Sequence, residues 1–173
     1  MSILCIYHGG CDDGFGAAWV VRKALGDDVE FFPGVYQKEP PDVIDKHVLL
    51  VDFSYKRPVL DEMFRKADSL LILDHHKTAA EDLAGYRAPF GPGGGWSRHL
   101  ENVALDTMEN CPQPYALFDM NRSGAGITWD FFFPDSPRPA FINYLEDRDL
   151  WRKSLEGGDE FTIALRSYSQ DFT

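Results

Sequence analysis

Apolar runs and amphipathic stretches alternate along the first half of the chain. Residues 2–7 (SILCIY) form an apolar run suited to a buried strand. A glycine-rich turn follows, then residues 14–25 (GFGAAWVVRKAL), whose composition and closing Gly26 predict a helix with a glycine C-cap. Residues 29–32 read as a second strand, stopped by Pro33 and Gly34. Residues 47–53 (HVLLVDF) read as a third, with an aspartate near its C-terminal end. Pro58 stands near the first turn of a helix over residues 58–66, where proline is preferred. Residues 69–73 are a fourth strand. Strands alternating with helices predict an α/β fold: a parallel sheet of about five strands with helices on both faces.

The pattern breaks over residues 85–114, which are rich in glycine and proline and lack a sustained period. This stretch is expected to be a long irregular insertion with at most one short strand or helix. Regular signals return with a strand over 115–118 and a helix over 123–133 that takes Ser123 as its N-cap. Another helix opens after Pro137 and Pro139 and runs into the sequence EDRDLW. A last amphipathic helix covers 160–168. Internal repeats and low-complexity tracts are absent.

At 173 residues the chain is long enough for one domain with a proper core. No apolar run approaches the ~20 residues of a membrane span. The N-terminal residues MSILCIYHGG lack the basic and long apolar regions of a signal peptide. Cys5, Cys11 and Cys111 form neither a CxxC pair nor an even disulfide set, so a reducing cytoplasm is expected. A net charge of −11 argues against a grip on long duplex nucleic acid, which wants basic surface. It leaves room for a small anionic substrate held through metal ions.

Candidate chemistry collects at the ends of strands, where open α/β sheets bind ligands. The first strand leads into YHGGCDDGFGAAW, with His8, Cys11, Asp12 and Asp13. The third ends in VDFS, with Asp52. The fourth ends in LDHHKTA, with Asp74, His75 and His76. A later element, YLEDRDLW, offers Asp147 and Asp149. Carboxylates mixed with imidazoles suit Mn²⁺, Mg²⁺ or Fe²⁺, and acids at adjacent parallel strand ends can converge. Each piece alone has a plainer reading. Asp52 could cap a loop, and Asp147 and Asp149 could be a solvated helix end paired with Arg148 and Arg152. His47 and His99 read as ordinary surface or strand-edge residues, and Cys5 as core. The phenylalanines at 131–133 and the tryptophans at 19, 129 and 151 read as packing rather than base-stacking platforms. The segment 123–126, preceded by Arg122, could bind phosphate through free N–H groups or could serve only as a structural cap.

The ordered series H-x-x-C-x-D-G, V-D-F-S, D-H-H and E-D-R-D-L-W resembles the DHH phosphoesterase superfamily. It is closest to the branch with oligoribonuclease and cyclic-nucleotide phosphodiesterase relatives, over residues 2–151 apart from the insertion. The resemblance implies a dinuclear site holding two divalent ions, Mn²⁺ first, with Mg²⁺, Co²⁺, Fe²⁺ or Zn²⁺ as alternatives. It implies that His8, the first acidic position of motif one and Asp52 hold one ion. Asp13, His75 and Asp147 would hold the other, with Asp52 bridging and Asp149 in reserve. Asp74 would orient a histidine ligand, and His76 would meet the substrate phosphate as donor or general acid, aided by Arg122 and Ser123. Water activated between the ions would attack phosphorus in line.

Two departures stand out. Cys11 occupies the first acidic position of motif one, with Asp12 one residue later, so either residue is a candidate ligand. Members of the superfamily carry a smaller C-terminal substrate-binding domain. Residues 1–155 are accordingly expected to be the catalytic domain and 156–173 a linker helix leading from it. The glycine-rich stretch at 93–96 resembles that second domain's motif only loosely. The implied partners are a short oligonucleotide, a cyclic nucleotide or another small phosphate ester, and no membrane; a homodimer stays open. A weakly catalytic metal- or nucleotide-binding module is the alternative from another class, and a pyrophosphate or polyphosphate hydrolase would use the same metals.

Overall fold

The computed structural model describes residues 2–89, 95–170 and 172. Its elements run in the order β1 (Ile3–His8), α1 (Asp12–Leu25), β2 (Val29–Gly34), β3 (His47–Val51), α2 (Arg57–Phe64), β4 (Ser69–Asp74), α3 (Lys77–Asp82), α4 (Gly95–Met108), β5 (Tyr115–Phe118), α5 (Gly124–Phe132), α6 (Ala140–Asp149) and α7 (Gly158–Arg166). The five strands form one sheet in the order β2-β1-β3-β4-β5, and every pairing is parallel. The α/β architecture is the one expected.

Because successive side chains on a strand point to opposite faces, the sheet builds two cores. Cys5, Tyr7, Leu49, Val51, Leu71 and Leu73 pack against α1, α5 and α6 on one face. Leu4, Ile6, Val48, Leu50, Leu70 and Ile72 pack on the other against Leu60 and Met63 of α2 and against Leu83 after α3. The register lines up Tyr7 with Val51 and Val51 with Leu73. The residues that follow, His8, Asp52 and Asp74 to His76, therefore leave the sheet along a single rim. The chain visits β2 on one side of β1 and then returns to place β3 on the other. That reversal of strand order opens a crevice between β1 and β3, where ligands bind in such sheets.

The stretch expected to be irregular contains, from Gly95, a 14-residue helix. Residues 90–94, which include the start of the glycine-rich stretch at 93–96, lie outside the described residues. The inward face of α4 carries Trp96, His99, Asn102 and Asp106, spaced as a helix requires but mostly polar, so the apolar period was hidden. His99, expected near the surface, is 1% exposed and packs between the rings of Trp96 and Tyr115, each centroid 5.2 Å away. Its two ring nitrogens have no hydrogen-bond partner. Trp129 is buried and stacks on Trp19 at 6.5 Å, as packing residues do, but Trp151 is 78% exposed and packs in no core. The segment expected to lead away as a linker instead folds back. Arg166 and Gln170 bind Asp12, and Phe172 stacks on Phe31 at 4.5 Å. Among the described residues no helix is long and apolar enough to cross a membrane.

Burial, and secondarily the charge of His47, holds the His99 imidazole down at about 4, so it is neutral in the fold. The unfolded chain, with a pKa near 6.5, binds the extra proton across the window from about 6.5 to 4. His99 therefore makes stability fall as pH drops through that window, by on the order of 2 kcal/mol. Urea denaturation of wild type and His99→Gln at neutral pH and near pH 5 checks this: the acid loss in stability is expected to shrink in the variant.

Candidate metal centre

Asp52 follows β3 in a left-handed backbone conformation, φ +53°, which an aspartate tolerates better than most side chains. Its N–H still donates to the carbonyl of Leu73 at 2.9 Å, so the turn is locked to the end of β4. The carboxylate lies under the N-terminus of α5. A Cβ on Gly124 would stand 2.8 Å from Asp52 Oδ1 and closer still to the Asp52 Cβ, so only glycine fits there. Asp13, in the first turn of α1, accepts hydrogen bonds from the N–H groups of Gly124 at 2.6 Å and Ala125 at 3.1 Å. The free N–H groups at the start of α5 are thus taken by a protein carboxylate.

Around Asp52 the structure gathers three imidazoles. His8 Nδ1 is 3.5 Å from Asp52 Oδ2, and His75 Nε2 is 3.1 Å from Asp52 Oδ1. His75 Nε2 also lies 3.5 Å from Asp149 Oδ2 and 3.8 Å from Asp13 Oδ2. His76 Nδ1 is bound to Asp74 Oδ1 at 2.7 Å, leaving Nε2 as its other ring nitrogen. Asp74 is fully buried and is itself held by Ser54 Oγ at 2.7 Å and by the N–H of His75 at 2.7 Å. The result is two neighbouring groups of donor atoms, His8–Asp52–His76 and Asp13–His75–Asp149, each within 4.8 Å.

The electrostatics are those of a site built for positive charge. Burial and the neighbouring charges of Asp52 and Asp149 push the Asp13 carboxyl well above its usual range. Asp52 is held down in spite of burial by hydrogen bonding to His75 and His8. The same acids lift His75 against its burial, and the bond to Asp52 lifts His8. Both oxygens of Asp52 and Nδ1 of His8 are buried with no hydrogen bond of good geometry. A carboxylate 1% exposed and left in that condition is satisfied by a cation. Imidazole nitrogen with carboxylate oxygen suits Mn²⁺, Fe²⁺, Co²⁺ or Zn²⁺. The donors fit two divalent ions, with Asp52 facing both.

The structure brings His8, Asp13, Asp52, His75 and Asp74 together as the motifs suggested, and places the other candidates differently. Asp147 is not among the grouped donors: its carboxylate caps the turn after α6, accepting the N–H of Ser154 at 2.9 Å, the N–H of Leu155 at 3.2 Å and the hydroxyl of Ser154. Asp149, held in reserve by the sequence reading, takes the place instead. His76, expected to meet the substrate phosphate, lies within 4.8 Å of the His8 and Asp52 donor atoms. Arg122 is paired with Asp119 and Asp130 at 2.8 Å each, and Ser123 is fully buried, its Oγ accepting from the Gly126 N–H and its own N–H donating to Glu146. Neither faces the crevice. Asp12 points away into Arg166, with Nη2 2.7 Å from its carboxylate. Cys11 lines the crevice, yet its sulfur is in neither donor group. Burial and the charge of Asp52 push its thiol up to about 12.

No protein-family model matches the chain. An uncharacterized protein of Acanthamoeba polyphaga mimivirus is 31% identical over 183 residues, a match covering 96% of this chain. The chain spans 37% of the length of that viral relative.

Two sets of variants check the assignment. Asp149→Asn is expected to weaken Mn²⁺ binding by more than the roughly 10-fold that follows loss of an outer partner, whereas Asp147→Asn should lower the thermal midpoint with far less effect on metal. Gly124→Ala should displace Asp52, costing on the order of 1–3 kcal/mol in stability and reducing Mn²⁺ affinity with it. Calorimetric titration and thermal melts read both.

Proposed function

We propose that this protein is a DHH-type, metal-dependent phosphoesterase acting on small phosphate esters such as short oligonucleotides or cyclic nucleotides. The carrying observation is the pair of donor groups that meet at Asp52, a buried carboxylate whose two oxygens face the imidazole nitrogens of His75 at 3.1 Å and His8 at 3.5 Å. His8, Asp52 and His76 would hold one ion, and Asp13, His75 and Asp149 the other. Divalent ions there supply Lewis acidity toward phosphate oxygens and lower the pKa of water for in-line attack.

The chain's own residues set the geometry. Asp52 stands between the two groups, fixed from behind by Gly124 and Leu73. Asp74 accepts from His76 Nδ1 and so fixes that ring's orientation and tautomer, a common task for a carboxylate behind a histidine ligand. Asp13 is held in place by two helix N–H groups. The net charge of −11 supports a small substrate rather than a long duplex. Mixed imidazole and carboxylate donors would suit two Mn²⁺ ions, with Fe²⁺, Co²⁺, Zn²⁺ or Mg²⁺ as alternatives.

Cys11 favours a second reading. With a thiol in place of a carboxylate beside the first ion site, and its sulfur outside both donor groups, the protein would be a metal- and nucleotide-binding module of weak turnover. Hydrolysis of a panel containing a dinucleotide, a cyclic nucleotide and inorganic pyrophosphate, in Mn²⁺, Mg²⁺, Co²⁺ and Zn²⁺, separates the two readings. Asp52→Asn is expected to cut phosphoester hydrolysis by at least roughly 100-fold and to lower the number of bound Mn²⁺ ions. An unchanged two-ion stoichiometry in that variant, or turnover without metal, counts against the proposal.

A further inference from the structure

A cavity of about 790 Å³ lies against the donor groups, within the size range of pockets that take small organic ligands. His8, Asp13 and Asp149 form its inner wall, and Trp151 and Lys153 stand on its outer wall. Trp151 is 78% exposed, an unusual position for the largest apolar side chain. Its backbone is held left-handed at φ +55°, and that of Lys153 at φ +48°. Two such residues in a short turn store strain that surrounding structure must maintain. The brace is Asp147, whose backbone carbonyl accepts the N–H of Arg152 at 2.9 Å and whose carboxylate holds Ser154 and Leu155. A buried carboxylate thus fixes a turn whose outcome is an indole face turned to the solvent, two residues after the metal-ligating candidate Asp149. The Lys153 ammonium lies 5.5 Å from the centre of that ring and pairs with no carboxylate among the described residues.

Resting on the phosphoesterase reading, we propose that Trp151 is the stacking platform for the base of a nucleotide whose phosphate sits at the metal centre. A flat π-face near a phosphate site is the arrangement by which proteins hold unpaired bases, and it accepts any base because each has a π-face. The rest of the cavity points the same way. Asp159 and Glu160, in the first turn of α7, line it as well, beside Arg148 and Arg166, which both lie against Asp12. The two acids of α7 repel additional phosphates but accept hydrogen bonds from the amino groups of adenine, guanine or cytosine. A string of phosphates such as inorganic polyphosphate has nothing to place on the indole. Lys153 is left to approach the one backbone phosphate that follows the base.

Binding of adenosine 5′-monophosphate and of ribose 5-phosphate, which lacks the base, tests this by calorimetry with Mn²⁺ at neutral pH. Wild type should prefer the nucleotide by about 10-fold. Trp151→Leu, at a position so exposed that the fold should tolerate it, is expected to weaken the nucleotide roughly 10-fold and ribose 5-phosphate by less than about twofold. Trp151→Phe should restore most of the loss. No nucleotide binding by wild type, unchanged nucleotide binding in Trp151→Leu, or equal loss for both ligands would overturn the proposal. Base-selective binding lost in Trp151→Leu, but with no Mn²⁺-dependent hydrolysis of a dinucleotide, sinks the catalytic reading and leaves the platform standing. Hydrolysis with unaltered base selectivity in the variant does the reverse.

Discussion

The carboxylate of Asp13 accepting the first N–H groups of α5 is the contact on which the site depends. It joins the N-termini of two helices that the chain places 111 residues apart. The positive end of α5 favours a negative charge there, and the bond distances of 2.6 and 3.1 Å fix where that charge sits. From it follow the close approach of Gly124 to Asp52, the need for a residue without a side chain at 124, and the crowding of Asp13, Asp52 and Asp149 around His75. It also explains why α5 has no N–H groups left to offer a phosphate.

A second set of charges places α6. Glu146, buried beneath the start of α5, accepts from the Ser123 N–H at 3.1 Å, from Arg138 at 2.8 Å and from Arg152 at 2.9 Å. Asp130 binds Arg122 and Arg138 from the other side. Gly126 leaves room for Glu146, since a Cβ there would collide with its carboxylate. Buried ion pairs of this kind add little net stability, because desolvation offsets their attraction. Their effect is positional: they set the rotation of α6, and so decide that Asp149 faces His75 while Asp147 faces the following turn.

Much of this was readable in the sequence because it depends on short-range patterning. The strands, the two-sided core and the appearance of His8, Asp52 and His75 at strand ends follow from apolar runs broken by polar residues. The choice between Asp147 and Asp149 was not readable. Two residues apart near a helix end, they differ by about 200° in direction, and the helix's rotation is set by Glu146 and its arginines from distant parts of the chain. The helix α4 escaped notice because its inward face is polar, with His99 and Asn102 where leucine would have announced it. Trp151 was assigned to packing because composition favours burial of indole; a left-handed turn braced by a carboxylate has no signature in hydrophobicity.

The two borders of the sheet limit how copies of the molecule can associate. A strand at an open edge invites another chain to continue the hydrogen-bonded ladder. On the β2 side Pro33 withholds an N–H from that ladder, and the exposed Glu30 adds a charge. On the β5 side the strand is only four residues long, and Arg87 already bridges to Tyr115 at its beginning. Neither border extends readily into a neighbour. If two copies pair, the helical surfaces must meet, and the mouth of the crevice is then the feature whose accessibility such pairing would govern.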